Sequence, residues 1–272
     1  MIKALFFDLD GTLLNSEKKI SRKTRNTLEK CVEKGYKLFI VTARPPLLER
    51  MLLWDDDTLS LFAGGSYYNG GCIKTGEQKS YISVADDIVY KAIAGVQNYD
   101  NLNIALQLED EKHAFRFPLD DKGYKSWGVT ADEALTLNQG CAFKTIKILV
   151  FYSNLIDSIY PIDETLVNEL RGMCANNAQF YLTDKGRCVQ IMGKSVNKMR
   201  SIEKIREQFG FEKNEIAVFG DDVNDIEMLS EYPFSVAMGN SEPRVKAVAK
   251  YITSDNDSEG IHEAICNTLK II

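Results

Sequence analysis

Ala4-Leu5-Phe6-Phe7-Asp8-Leu9-Asp10-Gly11-Thr12 begins as an unbroken apolar run and ends in two aspartates one residue apart. A continuous apolar run of this length predicts a short buried strand. At its end, residues i and i+2 project to the same side, so Asp8 and Asp10 face one site together. Two carboxylates that close repel, and the pKa of one rises. A hard cation between them removes the conflict, and oxygen ligands of this kind suit Mg²⁺. Gly11 lets the chain turn sharply at this point. The plainer alternative is an Asp- and Thr-rich turn that merely caps the next segment.

Working outward, strand and helix alternate through the first 80 or so residues. Ser21 is placed to cap a helix whose face is Thr24, Leu28, Cys31 and Val32, with Gly35 closing it. Leu38-Phe39-Ile40-Val41 is a second apolar run of strand length, ending at Thr42-Ala43-Arg44. Pro45-Pro46 fits the first turn of a helix over Leu47 to Trp54. A strand near Leu61-Phe62-Ala63, a turn at Asn69-Gly70-Gly71 and a hairpin with Thr75-Gly76-Glu77 at its tip complete this part.

The texture then changes. Strand candidates at Asn103–Leu108, His113–Phe117, Thr145–Tyr152, Gln179–Thr183 and Cys188–Ile191 include several that alternate polar and apolar residues, as an antiparallel sheet with one wet face does. From Val196 the strand–helix rhythm returns: a helix from Asn197 to Phe209, a strand at Glu215–Phe219, then Gly220-Asp221-Asp222-Val223-Asn224-Asp225. The expected fold class is α/β, a doubly wound parallel sheet in two parts, 1–83 and 192–272, with an α+β domain inserted at 84–191.

The bulk properties narrow the function. The 272-residue chain is 44% apolar and 26% charged, the balance of a soluble globular protein. A net charge of −6 argues against nucleic acid as a main partner. Its six cysteines are scattered without metal-site spacing, and no apolar run reaches membrane-spanning length. The start of the chain lacks the pattern of a signal peptide. A reduced, cytoplasmic setting is expected, with no membrane partner. His113 and His262 stand away from the acidic motifs and are expected to be structural or exposed.

In open α/β sheets ligands bind beyond the carboxyl ends of the strands. Asp8, Asp10, Thr42 and the Asp221–Asp225 cluster all follow strands, and Lys198 opens a helix. Taken singly, Thr42 reads as a helix cap, Lys198 as a surface lysine and the aspartates as charge at a helix start. Their recurrence at equivalent edges is what those readings explain poorly. In this order, Asp8-Leu9-Asp10-Gly11-Thr12, Thr42 in Val41-Thr42-Ala43-Arg44, Lys198 in Lys194-Ser195-Val196-Asn197-Lys198, and Gly220-Asp221-Asp222-Val223-Asn224-Asp225 resemble the four motifs of the haloacid dehalogenase superfamily. With Met228-Leu229, Asn69-Gly70 and Ala237-Met238-Gly239-Asn240, the chain is similar to the Cof-like phosphatase branch, whose cap is inserted between motifs two and three.

The resemblance implies a Rossmann-like core and a Mg²⁺-dependent phosphatase of small phosphorylated metabolites, with sugar phosphates as the expected substrates, working through an aspartyl-phosphate. It makes Asp8 the nucleophile, Asp10 the acid and base, and Lys198 the charge that holds Asp8 and the phosphoryl group. It implies phosphate contacts from Leu9, Asp10, Thr42, Ala43, Lys198 and Asn224. The implied metal ligands are Asp8, Asp10 through its backbone carbonyl, Asp221 and Asp225, the last directly or one layer out. Arg44, Arg116 and Arg187 are candidate substrate contacts. Two positions depart from the branch: Ala43 where glycine is common, and Gln190 where an acidic residue is usual. The alternatives are a sugar phosphomutase and a non-catalytic phosphometabolite-binding regulator.

Overall fold

Ala4–Phe7 is a strand, and all four of its residues are buried. Phe6 stacks on Phe39 with 4.6 Å between ring centroids, and Phe7 stacks on Phe219 at 4.7 Å. Successive residues of a strand face opposite sides, so both faces of this one are covered. That is why its sequence shows no polar alternation. The computed structural model describes residues 1–153 and 159–272.

Among the described residues the strands form two sheets, one of eight and one of six. In the larger, Ala4–Phe7 lies between Lys37–Val41 and Ile216–Gly220 and runs parallel to both. The chain moves outward on one side through Phe62–Tyr67, then returns on the other through Phe234–Ala237 and Tyr251–Ile252, all parallel. Cys72–Thr75 turns back antiparallel and Gln78–Tyr81 forms the edge. Strand order therefore reverses direction at Ala4–Phe7. Its carboxyl end is a topological switch point, where open α/β sheets carry their ligand crevice.

The helix Arg22–Glu33 starts where Ser21 accepts a hydrogen bond from the Thr24 N–H, and it buries Thr24, Thr27, Leu28 and Cys31. Val32, expected on that face, is 40% exposed. At 100° per residue it falls outside the stripe that Thr24, Thr27, Leu28 and Cys31 define. Lys198–Phe209 is capped by Asn197 and stopped by left-handed Gly210, and its Ile202 and Ile205 join Phe6, Phe39 and Val218 in the core. The helix expected over Leu47 to Trp54 shrinks to Leu48–Met51, since Leu53 turns left-handed with φ 54°. An unforeseen helix, Asp56–Ser60, follows with Asp55 as its cap.

The chain divides into two compact units, Met1–Ala43 with Trp54–Ser80 and Asn197–Ile272, and Arg44–Leu53 with Tyr81–Val196. The second begins before residue 84, ends after residue 191 and also takes Arg44–Leu53, which the sequence reading placed in the first. The reason is packing: the side chains of Leu47 and Met51 lie against Gly128, and Arg50 pairs with Glu133 at 2.5 Å.

Within this unit the strands run Ala178–Thr183, Cys188–Gly193, Thr145–Tyr152, Leu102–Leu108, His113–Phe115 and Leu135–Thr136 across the sheet. All neighbours are antiparallel except the last pair. Ile104, Leu106, Ile148, Val150, Val189 and Ile191 form its core with residues of the helices Asp86–Val96 and Glu164–Cys174. The helix Asp121–Trp127 escaped the sequence reading because it buries none of its residues and so shows no apolar stripe. Among the described residues no helix is long and apolar enough to cross a membrane.

Candidate active site

Strand register carries the polar residues to one edge. Phe7 is level with Phe219 on one side and Ile40 on the other. Asp8, Asp221 and Thr42 each follow that row within two residues. The Asp8 N–H donates to the Phe219 carbonyl at 3.0 Å, fixing the strand end. Gly11 then turns the chain with φ 81°, and a Cβ there would lie 2.3 Å from Asp221 Oδ2. Glycine alone lets the loop approach this closely. Thr12 Oγ1 donates to Asp221 Oδ1 at 2.7 Å, and Asn240 Nδ2 donates to the Gly11 carbonyl at 2.9 Å and to Asp221 Oδ2 at 3.4 Å.

Lys198 is the first residue of its helix and is buried. Its Nζ donates to Asp8 Oδ1 and to Asp225 Oδ1, each at 2.6 Å. The second oxygen of Asp225 accepts the backbone N–H groups of Asp221 and Asp222 at 2.9 and 3.1 Å. Asp225 thus ties the lysine to the loop that presents Asp221. Its two oxygens are both engaged.

Ligand oxygens of Asp8, Asp221 and Asp225 lie within 4.8 Å of one another. Burial pushes the Asp8 carboxyl up to about 7, with Lys198 opposing and Asp225 and Asp10 adding to the rise. Burial likewise raises Asp221, to about 9, reinforced by Asp8 and Asp225. Burial alone would lower Lys198, but Asp225 and Asp8 outweigh it and hold the ammonium above its ordinary range. Fully ionised, three acids and one lysine would leave an excess of buried negative charge. An all-oxygen cluster carrying that excess fits a hard divalent cation.

The remaining expected residues divide. Thr42 is buried; its N–H donates to the Ser66 carbonyl at 2.8 Å and its own carbonyl accepts from the Asn69 N–H at 2.9 Å. Ala43 is not among the left-handed residues, so the absence of glycine there imposes no strain. Leu9 is buried at the loop start, its carbonyl accepting from the N–H of Leu14 at 2.8 Å. Asp10 Oδ1 meets Lys18 Nζ at 2.8 Å in a partly exposed pair. Asn224 is buried and donates from Nδ2 to Asn69 Oδ1 at 2.9 Å.

Two of the candidate arginines have partners within the second unit. The Arg116 guanidinium donates to the carbonyls of Val96, Gln97 and Tyr99 at 2.8, 2.9 and 2.9 Å, closing the end of the Asp86–Val96 helix. Arg187 folds back on the carbonyl and carboxylate of Asp184. Arg44 belongs to the segment grouped with the second unit. At the other departure from the branch, Gln190 Nε2 donates to Thr183 Oγ1 at 2.7 Å. Thr12, Asn69 and Asn240 take part in the site's framework without having been singled out as site residues. The signal for all three was their place in segments already quoted.

Known proteins resemble this chain over nearly its whole length. A Bacillus subtilis (strain 168) protein named 5-amino-6-(5-phospho-D-ribitylamino)uracil phosphatase YcsE is 26% identical over 270 residues, covering 97% of this chain and 94% of its own. A solved structure from work on a trigonal-bipyramidal intermediate in a phosphoryl-transfer superfamily superposes with a TM-score of 0.84 at 26% identity, covering 100% of both chains. The sugar phosphatase BT4131, of subclass IIB of the superfamily, superposes with a TM-score of 0.82 at 26% identity, over 99% of this chain and 100% of its own. Residues 5–265 match the family described as haloacid dehalogenase-like hydrolase. With its switch-point aspartates and the lysine that bridges them, the chain belongs to the haloacid dehalogenase-like hydrolases.

Proposed function

We propose that this enzyme is a Mg²⁺-dependent phosphomonoesterase acting through an aspartyl-phosphate on Asp8. The observation that carries the reading is Lys198 Nζ, held 2.6 Å from both Asp8 and Asp225 beside Asp221. An ammonium there keeps the Asp8 carboxylate available as a nucleophile and offers positive charge to phosphoryl oxygens. In the first step an Asp8 oxygen forms the bond to phosphorus as the P–O bond to the alcohol breaks. Asp10 delivers a proton to the departing alkoxide, then takes one from the water that attacks phosphorus and returns Asp8 as a carboxylate. Lys18, 2.8 Å from Asp10, steadies the Asp10 carboxylate between these two proton transfers; Asp10 begins and ends the cycle as the acid.

Asp8, the Asp10 backbone carbonyl and Asp221 would hold Mg²⁺, which neutralises charge on the group in transfer. Asp225 orients Lys198 and the Asp221 backbone from one layer out. Thr42 and Asn224 donate to the phosphoryl oxygens, with the N–H groups of Leu9, Asp10 and Ala43 assisting. The inserted unit acts as a cap that selects the leaving group.

The substrate class is a sugar or polyol monophosphate. Two similarities support it: BT4131 is described as a sugar phosphatase, and YcsE takes its name from a ribityl phosphate. The test is phosphate release across a panel of sugar, polyol, nucleotide and cofactor monophosphates, with Mg²⁺ or with a chelator. Turnover is expected to be highest on the sugar and polyol esters, lost with chelator and lost in Asp8→Asn. Full activity in Asp8→Asn would sink the covalent mechanism. Transfer of the phosphoryl group to a second sugar hydroxyl, with no release, would make the enzyme a mutase.

A further inference from the structure

The turn after Phe62–Tyr67 is wound unusually. Tyr68, Asn69 and Gly70 take successive positive φ values of 53°, 58° and 107°, and all three are buried. Left-handed backbone at two non-glycine residues in a row costs free energy, and such strain persists where surrounding contacts hold it. Here the contacts reach three parts of the active site. The Asn69 N–H donates to the Thr42 carbonyl at 2.9 Å. Asn69 Oδ1 accepts from Asn224 Nδ2 at 2.9 Å. A Cβ on Gly70 would stand 2.6 Å from the carbonyl of Asn197, the residue before Lys198.

Asn224 is the telling member. Its Oδ1 is buried with no hydrogen-bond partner among the described residues. The bond to Asn69 uses one of the two N–H groups on its amide, and so sets the direction of the other. A carboxamide whose acceptor is left unmatched is poorly explained by folding alone. It is explained if the amide is oriented for its second N–H to meet a ligand, its oxygen going unmatched as a consequence.

We propose that Asn69 is a positioning residue for phosphoryl transfer. Its side chain fixes the Asn224 amide and its backbone fixes Thr42, so that both donors address one phosphoryl group. This rests on the reading of Asn224 and Thr42 as phosphate contacts.

The test is a double-mutant cycle read by inorganic phosphate as a competitive inhibitor of turnover on a chromogenic phosphomonoester. Asn69→Gly keeps the left-handed turn at no steric cost and removes only the side chain. Asn69→Gly and Asn224→Ala are each expected to weaken phosphate inhibition by about tenfold, the scale of one hydrogen bond to a charged group. The double variant is expected to weaken it by about tenfold in total, no more than either single change, rather than by about a hundredfold, because both changes remove the same function. Thermal unfolding of Asn69→Gly is expected within a few degrees of wild type.

Multiplying effects, or an Asn69→Gly inhibition constant within about twofold of wild type, would overturn the proposal. So would misfolding of both Asn69→Gly and Asn69→Ala, which would make the residue a folding requirement. A wild type that turns over no phosphomonoester would sink the phosphatase reading, and this inference with it.

Discussion

Lys198 and His113 are both buried and titratable, and they are handled in opposite ways. Lys198 keeps its charge because two carboxylates meet it at 2.6 Å. His113 bonds the Glu111 carbonyl at 2.9 Å and packs edge-on to Trp127. Burial therefore lowers it to about 4, with the Glu111 carbonyl opposing. Unfolded, it takes up a proton near 6.5. Between these values the unfolded chain binds more protons, so stability from His113 is present above pH 6.5 and lost as pH falls toward 4. The full loss is of order 3 kcal/mol. Urea unfolding at pH 7 and pH 5 is expected to show a steeper acid loss in wild type than in His113→Phe; equal slopes would contradict it. From sequence the residue could be set aside from the acidic motifs, but its burial depends on Trp127, which lies in a helix with no apolar stripe to announce it.

The elements that matter most are the loop after Ala4–Phe7 and the loop after Ile216–Gly220. Each alone is readable, because an apolar run that stops in aspartates has few structural reasons to exist. Their joint geometry is not readable. Thr12 reaches Asp221 across 209 positions and Asn240 reaches Gly11 across 229, separations at which no local spacing rule applies. Gly11 shows how tightly the loops are fitted, with φ 81° and Asp221 occupying the space a Cβ would need. Gly11→Ala is expected to cost about 2 kcal/mol of stability, from the left-handed backbone and the contact with Asp221. It should also lower kcat/KM by about a hundredfold or more, since displacing Asp221 misplaces the reacting groups. Activity within about twofold of wild type would show that the loop yields without moving the site.

At the scale of the molecule, one topological fact places the chemistry. Strand order reverses at Ala4–Phe7, and so the first aspartates, the hydroxyl of Thr42 and the returning acidic loop share an edge. The parallel sheet was legible because continuous apolar runs separated by helices admit few other arrangements. The antiparallel insert was legible from its alternation. The grouping of Arg44–Leu53 with the insert was not, because it rests on packing around Gly128 rather than on any pattern within the segment. Nor could sequence say that Arg116 closes a helix end. The proposed mechanism passes phosphate through Asp8. It can be checked by mixing enzyme, Mg²⁺ and a turned-over sugar phosphate, quenching in acid within a single turnover and measuring peptide masses. A phosphoryl group is expected on the peptide carrying Asp8, absent from Asp8→Asn. Burst-free turnover with that peptide never phosphorylated, and with activity surviving in Asp8→Asn, would contradict it.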